Sequence, residues 1–193
     1  MNLLLLGPQG SGKGTQANLI ADADGVPHVS TGEMLRAAIA RQDDLGRRVQ
    51  PIVDSGQLVP DELMIELVRH RLGLEDARGG FVLEGFPRTL AQAEALDGVL
   101  HELGHDLDLV LELQVPEMVS INRLLERSVE EGRADDTPEA IRTRLALHNR
   151  NAEALSEYYR TRGILVGIHG DREIPAVFAE IRQAIERAEA NAA

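Results

Sequence analysis

The stretch Leu6-Gly7-Pro8-Gln9-Gly10-Ser11-Gly12-Lys13-Gly14-Thr15 combines glycines, hydroxyls and a lysine in a spacing that suits phosphate binding. Gly7, Gly10, Gly12 and Gly14 let the main chain wrap closely around a phosphate with its N–H groups turned inward. A helix opening directly after the loop adds the partial positive charge of its N-terminus. Lys13 can reach the β- and γ-phosphates of a nucleotide, and a nearby hydroxyl can meet Mg²⁺. The strict pattern G-x-x-x-x-G-K-[ST] is not met, because Gly14 follows the lysine and Thr15 comes one place late. An ordinary glycine-rich turn between strand and helix shares much of this pattern, but Lys13 sets the stretch apart. It is the only lysine, and the other 19 of the 20 basic residues are arginine.

Arginine is the other side chain suited to phosphate, because its planar fork grips two oxygens and never loses its charge. Arg123 and Arg127 are four residues apart and share one helical face. On spacing alone, a solvated arginine face is the simpler reading of that pair.

Positioning such groups requires a scaffold. Four apolar runs, Asn2–Leu6, Gly80–Leu83, Leu109–Val115 and Ile164–Ile168, read as buried parallel strands, with a shorter candidate at Val26–Val29. Ser30 with Glu33 and Thr89 with Gln92 have capping-box spacing. Pro60-Asp61, Val115-Pro116 and Thr137-Pro138-Glu139 mark further helix starts, and Ala176–Ala193 reads as a closing amphipathic helix. Strands alternating with helices predict an α/β fold, a doubly wound parallel sheet covered on both faces. Two stretches fit it poorly. Ser30–Val59 is helical without a long strand, and Glu126–Thr137 reads as an exposed, mobile loop.

The net charge of −12 argues against broad nucleic-acid binding. No run approaches the roughly 20 apolar residues of a membrane span. Without cysteine there is neither a disulfide nor a thiolate zinc site. A cytoplasmic location is expected.

Gly7 to Gln16 resembles the phosphate loop of adenylate kinases, whose version places glycine directly after the lysine. Val29-Ser30-Thr31-Gly32-Glu33-Met34-Leu35-Arg36, Gly56–Asp61, Gly85-Phe86-Pro87-Arg88-Thr89, Arg133–Thr137 and Tyr158-Tyr159 agree with the same family in order and spacing. The resemblance covers nearly the whole chain. It implies a P-loop NTPase-type core (1–29, 60–125 and 137–193), a helical insert for a nucleoside monophosphate (30–59) and a short lid (126–136). It also implies Mg²⁺-dependent transfer of a phosphoryl group from ATP to AMP by a monomer without zinc.

The resemblance assigns Gly10, Ser11, Gly12, Lys13, Gly14 and Thr15 to ATP, with Arg123, Arg127 and the main chain of Arg172. For AMP it implies Thr31, Arg36, Gln57, Leu58, Val59, Gly85, Phe86, Pro87, Arg88 and Gln92. Thr31 and Gln92 are also explained by the two capping boxes. Arg133 and Arg144 would meet the migrating phosphoryl group and the AMP phosphate, joining Lys13, Arg88 and Arg123 in catalysis. Asp135 and Asp136 would pair with arginine in the lid. No residue is expected to bind metal directly. Mg²⁺ would be held through waters near Thr15 and Glu84.

The chain departs from the family pattern at Glu84, where aspartate is usual, and at Gln9, where proline is common. His148 replaces a usual tyrosine and Ala152 a usual threonine, both read as packing changes. Two alternatives share these motifs: a kinase of UMP or CMP, and a protein that binds nucleotide without turning it over.

Overall fold

The computed structural model describes residues 1–130 and 135–192. β1 (Asn2–Leu6) runs through the middle of the sheet, and its leucines explain why. Successive strand side chains point to opposite faces. Leu3 and Leu5 join one core cluster with Ile20 of α1 (Lys13–Asp24) and Val177 and Ile181 of α8 (Ile174–Ala192). Leu4 and Leu6 join the opposite cluster, with Val68 of α4 (Asp61–Leu72), Leu96 of α5 (Leu90–Leu103) and Tyr159 of α7 (Pro138–Arg160). Both faces of the strand are therefore buried, as an unbroken leucine run requires. Truncating such a side chain to alanine costs about 2–5 kcal/mol.

The other strands are β2 (His28–Ser30), β3 (Phe81–Glu84), β4 (Leu109–Gln114) and β5 (Leu165–His169). All pair in parallel, in the order β2-β3-β1-β4-β5. The α/β doubly wound fold expected from the sequence is the one observed, with strand limits shifted by one or two residues. β2 is shorter than the apolar run suggests. Pro27 accepts from the Val82 N–H at 3.0 Å but has no N–H to return, so the strand begins at His28.

Helix starts follow the capping chemistry. Ser30 Oγ accepts from the Glu33 N–H, Thr89 Oγ1 from Gln92 and Thr137 Oγ1 from Ala140. The segment that fitted the sheet poorly forms α2 (Thr31–Arg41) and α3 (Asp44–Asp54), the latter capped by Asp43 on the Gly46 N–H.

The expected loop over Glu126–Thr137 is corrected at both ends. α6 (Glu117–Glu130) carries the helix five residues into it. Asp135 and Asp136 are buried rather than exposed, because arginines draw them inward. The middle of that stretch lies outside the described residues.

Candidate active site

The phosphate loop leaves the carboxyl end of β1, from which the chain crosses to β2 on one side while β3 beside it leads on to β4 on the other. Ligands of open parallel sheets bind at such a switch point. The Ser11 N–H donates to the Pro8 carbonyl at 3.2 Å, closing a turn in which Gly10 has φ +78°. A side chain at Gly10 would also bring a Cβ to 2.5 Å from the Ser120 carbonyl of α6, so glycine is required twice over.

Lys13 opens α1. Its Nζ donates to the carbonyls of Gly7 at 2.8 Å and Pro8 at 2.6 Å and lies 3.4 Å from Ser11 Oγ. Burial lowers the Lys13 pKa to about 8; Glu84 opposes the shift, and Arg88 and Arg127 reinforce it. An ammonium held this way is short of negative charge, which a polyphosphate would supply.

The loop floors a cleft of about 960 Å³. Gly10, Gly12, Lys13, Gly14 and Thr15 line it from below, and Arg123 and Arg127 of α6 flank them. Across the cleft stand Arg36, Gln57, Leu58 and Val59, with Gly85, Pro87, Arg88 and Gln92 from the end of β3 and the start of α5. Arg144 of α7 also reaches the wall. Some expected residues stand elsewhere. Ser11, Thr31 and Phe86 are buried and do not line the cleft. Arg172 is also off the wall, with Nε donating to the His169 carbonyl and the guanidinium paired with Glu180. Arg133 lies outside the described residues.

Glu84 ends β3, and its Oε1 accepts from Ser30 Oγ at 2.5 Å. Burial opposes its charge, but the His28 imidazole, the Lys13 ammonium and the Ser30 hydroxyl outweigh it and hold the pKa at about 2. The next residue, Gly85, has φ +85°, and a Cβ there would meet Thr31 Oγ1 at 2.5 Å. That close approach seats α2 against the strand end.

Arg88 Nε donates to the Gly85 carbonyl at 2.8 Å. Burial and the nearby Arg144 lower its pKa, against Glu84. Gln92 uses both ends of its amide. Oε1 accepts from the Arg88 N–H at 2.7 Å, and Nε2 donates to Asp61 Oδ1 at 2.6 Å. Its side chain thus pins Arg88 and α4 instead of returning to the cap residue Thr89.

The α6 and α7 arginines are engaged by the segment that joins their helices. Arg127 donates to Asp136 Oδ2 at 2.6 and 2.9 Å. Arg144 donates to Asp136 Oδ1, to Asp135 Oδ2 and to the Val53 carbonyl of α3, each at 2.9 Å. Arg144 therefore ties α7 to α3. Arg123 donates to the Gly170 carbonyl at 3.1 Å.

Sequence reasoning missed Glu112, which pairs with Leu6 two residues before β4 ends, as Glu84 pairs with Leu5 at the end of β3. His148 and Ala152, expected to be packing changes, both line the cleft. Burial and Lys13 depress the His148 pKa to about 4, partly offset by Glu112, so the imidazole is neutral near pH 7.

A glycine-rich loop at the switch point of a parallel sheet, one lysine at its end and arginines converging from several elements define a P-loop phosphotransferase. The family model described as adenylate kinase matches residues 5–164. Among curated relatives, an adenylate kinase of Cyanothece sp. is 46% identical over 185 residues, covering 96% of this chain and 95% of its own. One of Caulobacter vibrioides is 47% identical over 186 residues, covering 96% and 97%. One of Archaeoglobus fulgidus is 40% identical over 214 residues, covering 97% and 99%. The chain belongs to the adenylate kinase family, the nucleoside monophosphate kinases that use AMP.

Proposed function

We propose that this chain transfers the terminal phosphoryl group of ATP to AMP, reversibly, to give two ADP. The observation that carries the reading is the two-sided cleft, with the phosphate loop and Lys13 on one side and Arg36, Arg88 and Gln92 on the other. The ATP phosphates take the loop N–H groups and Lys13, with Arg123 and Arg127 above. AMP takes Arg36, Arg88, Gln57–Val59 and Gln92, with Gly85, Phe86 and Pro87 shaping the strand end and Thr31 supporting it from beneath. Residues 30–59 act as the monophosphate-binding insert and 126–136 as the lid.

The site suits Mg²⁺. Glu84 keeps its charge at neutral pH, and Thr15 is exposed at the start of α1 and lines the cleft, so hard oxygen donors stand beside the loop. Bound with the nucleotide, Mg²⁺ would neutralise charge on the β- and γ-oxygens, with Glu84 and Thr15 ordering its waters.

Phosphoryl transfer asks a protein for positioning and charge, with little covalent chemistry. Accordingly no nucleophile or general base is assigned. The neutral His148, with a pKa of about 4, would be a weak base in any case. Arg88, Arg144 and Arg133 clamp the migrating group and its acceptor. Arg127 and Arg144 must turn from Asp135 and Asp136 to phosphate, and that exchange links substrate binding to closure of the lid over the reaction. Every group comes from one chain, so a monomer suffices.

A coupled assay of ADP formation with AMP, CMP, UMP and GMP tests the acceptor. AMP should give the highest kcat/KM. A higher value for CMP or UMP would assign the chain to a different monophosphate.

A further inference from the structure

We infer that Gln9 is a substrate-contacting residue whose side-chain amide hydrogen-bonds the polyphosphate of the bound nucleotide. The inference rests on the ATP site proposed above. Gln9 and Gly10 are the central residues of the Pro8–Ser11 turn, and the positive φ of Gly10 makes it a type II turn. Proline serves the first central position best, since its ring presets φ. Glutamine adds nothing to the turn itself, so its side chain calls for a separate explanation.

That side chain lines the cleft, yet its Oε1 is shut off from solvent and has no hydrogen-bond partner. Buried amide oxygens are rarely left unpaired, because the lost solvation is not returned. The cations that share the cleft wall have protein partners of their own. Lys13 donates to Gly7 and Pro8, Arg88 to Gly85, Arg123 to Gly170 and Arg127 to Asp136. Oε1 needs a donor, so its partner is a guanidinium that a ligand has drawn off its protein acceptor. A polyphosphate meets the need: the amide N–H groups donate to phosphoryl oxygens, and Oε1 takes an N–H from a guanidinium drawn to the same phosphate.

The test is calorimetric binding of a non-hydrolysable ATP analogue, alongside kcat, KM and melting temperature. It compares the parent with Gln9→Pro, Gln9→Ala and Gln9→Glu. Gln9→Pro keeps the turn and removes the amide, so its melting temperature should equal or exceed the parent's. Gln9→Pro and Gln9→Ala should each weaken analogue binding by about 10- to 150-fold, the range for a hydrogen bond to a charged group. Gln9→Glu should lose more, since a carboxylate repels phosphate. Parent-like binding and kcat/KM in Gln9→Pro would overturn the inference and leave Gln9 a turn residue. So would equal losses in Gln9→Glu and Gln9→Ala. Should Gln9→Ala fail to fold, Gln9→Pro decides. A parent that binds the analogue but makes no ADP from AMP would refute the proposed reaction while the binding comparison still judged Gln9.

Discussion

At the scale of single residues, Lys13 carries the sharpest expectation. It sits at the loop where β1 meets α1 and donates to two loop carbonyls. Lys13→Ala should lower kcat/KM by at least about 100-fold, equivalent to about 2.7 kcal/mol of transition-state stabilisation. Its circular dichroism should remain that of the parent, and a rate within about tenfold would remove Lys13 from the reaction. The pH dependence follows from the same group. Its pKa of about 8 in the free protein means the ammonium is lost as pH rises through that value, so kcat/KM should fall on the alkaline side. Bound polyphosphate favours the charged form, so the limb in kcat should lie higher.

Glu84 tests the metal. Its arm is one methylene longer than aspartate and is drawn sideways onto Ser30. A titration of Mg²⁺ at fixed nucleotide should show Glu84→Gln slower and needing more metal, and Glu84→Asp tolerated or faster. Equal rate and Mg²⁺ dependence in parent and Glu84→Gln would leave the carboxylate no part in holding metal.

Elements show what local sequence can and cannot reveal. The starts of α2, α5 and α7 were legible because a cap needs only a hydroxyl and an N–H three residues on. The C-terminal end of α6 was not legible. Its polar residues and the following Gly132 look like a loop, and nothing local announces that Asp136 will accept from both Arg127 and Arg144. That cluster is a long-range bargain between α6, α7 and the segment joining them. Removing its central carboxylate strips Arg127 of its partner and leaves Arg144 with Asp135 as its only carboxylate. Asp136→Ala should therefore lower stability by about 3–5 kcal/mol in chemical denaturation. A loss below about 1 kcal/mol would show that solvent, rather than Asp136, balances these arginines.

Across the whole molecule, the positions of the buried strands along the chain were visible in the apolar runs, because a strand covered on both faces must be apolar throughout. Convergence on one cleft was not visible in that way. Arg36, Arg88, Arg127 and Arg144 lie on four separate segments, and only the family resemblance brought them together before the fold did. Glu112 escaped and His148 was read as a packing change for the same reason, since each looks ordinary within its own element. Although the chain's net charge is −12, the cleft wall brings Lys13 together with five arginines: Arg36, Arg88, Arg123, Arg127 and Arg144. The most direct measurement starts from ADP alone with Mg²⁺ and no coupling enzyme, followed by phosphorus NMR. A chain that joins ATP and AMP in one cleft should convert ADP into equal amounts of ATP and AMP and stop when Mg²⁺ is chelated. ADP left unchanged, or broken down to AMP and inorganic phosphate, would contradict that reaction.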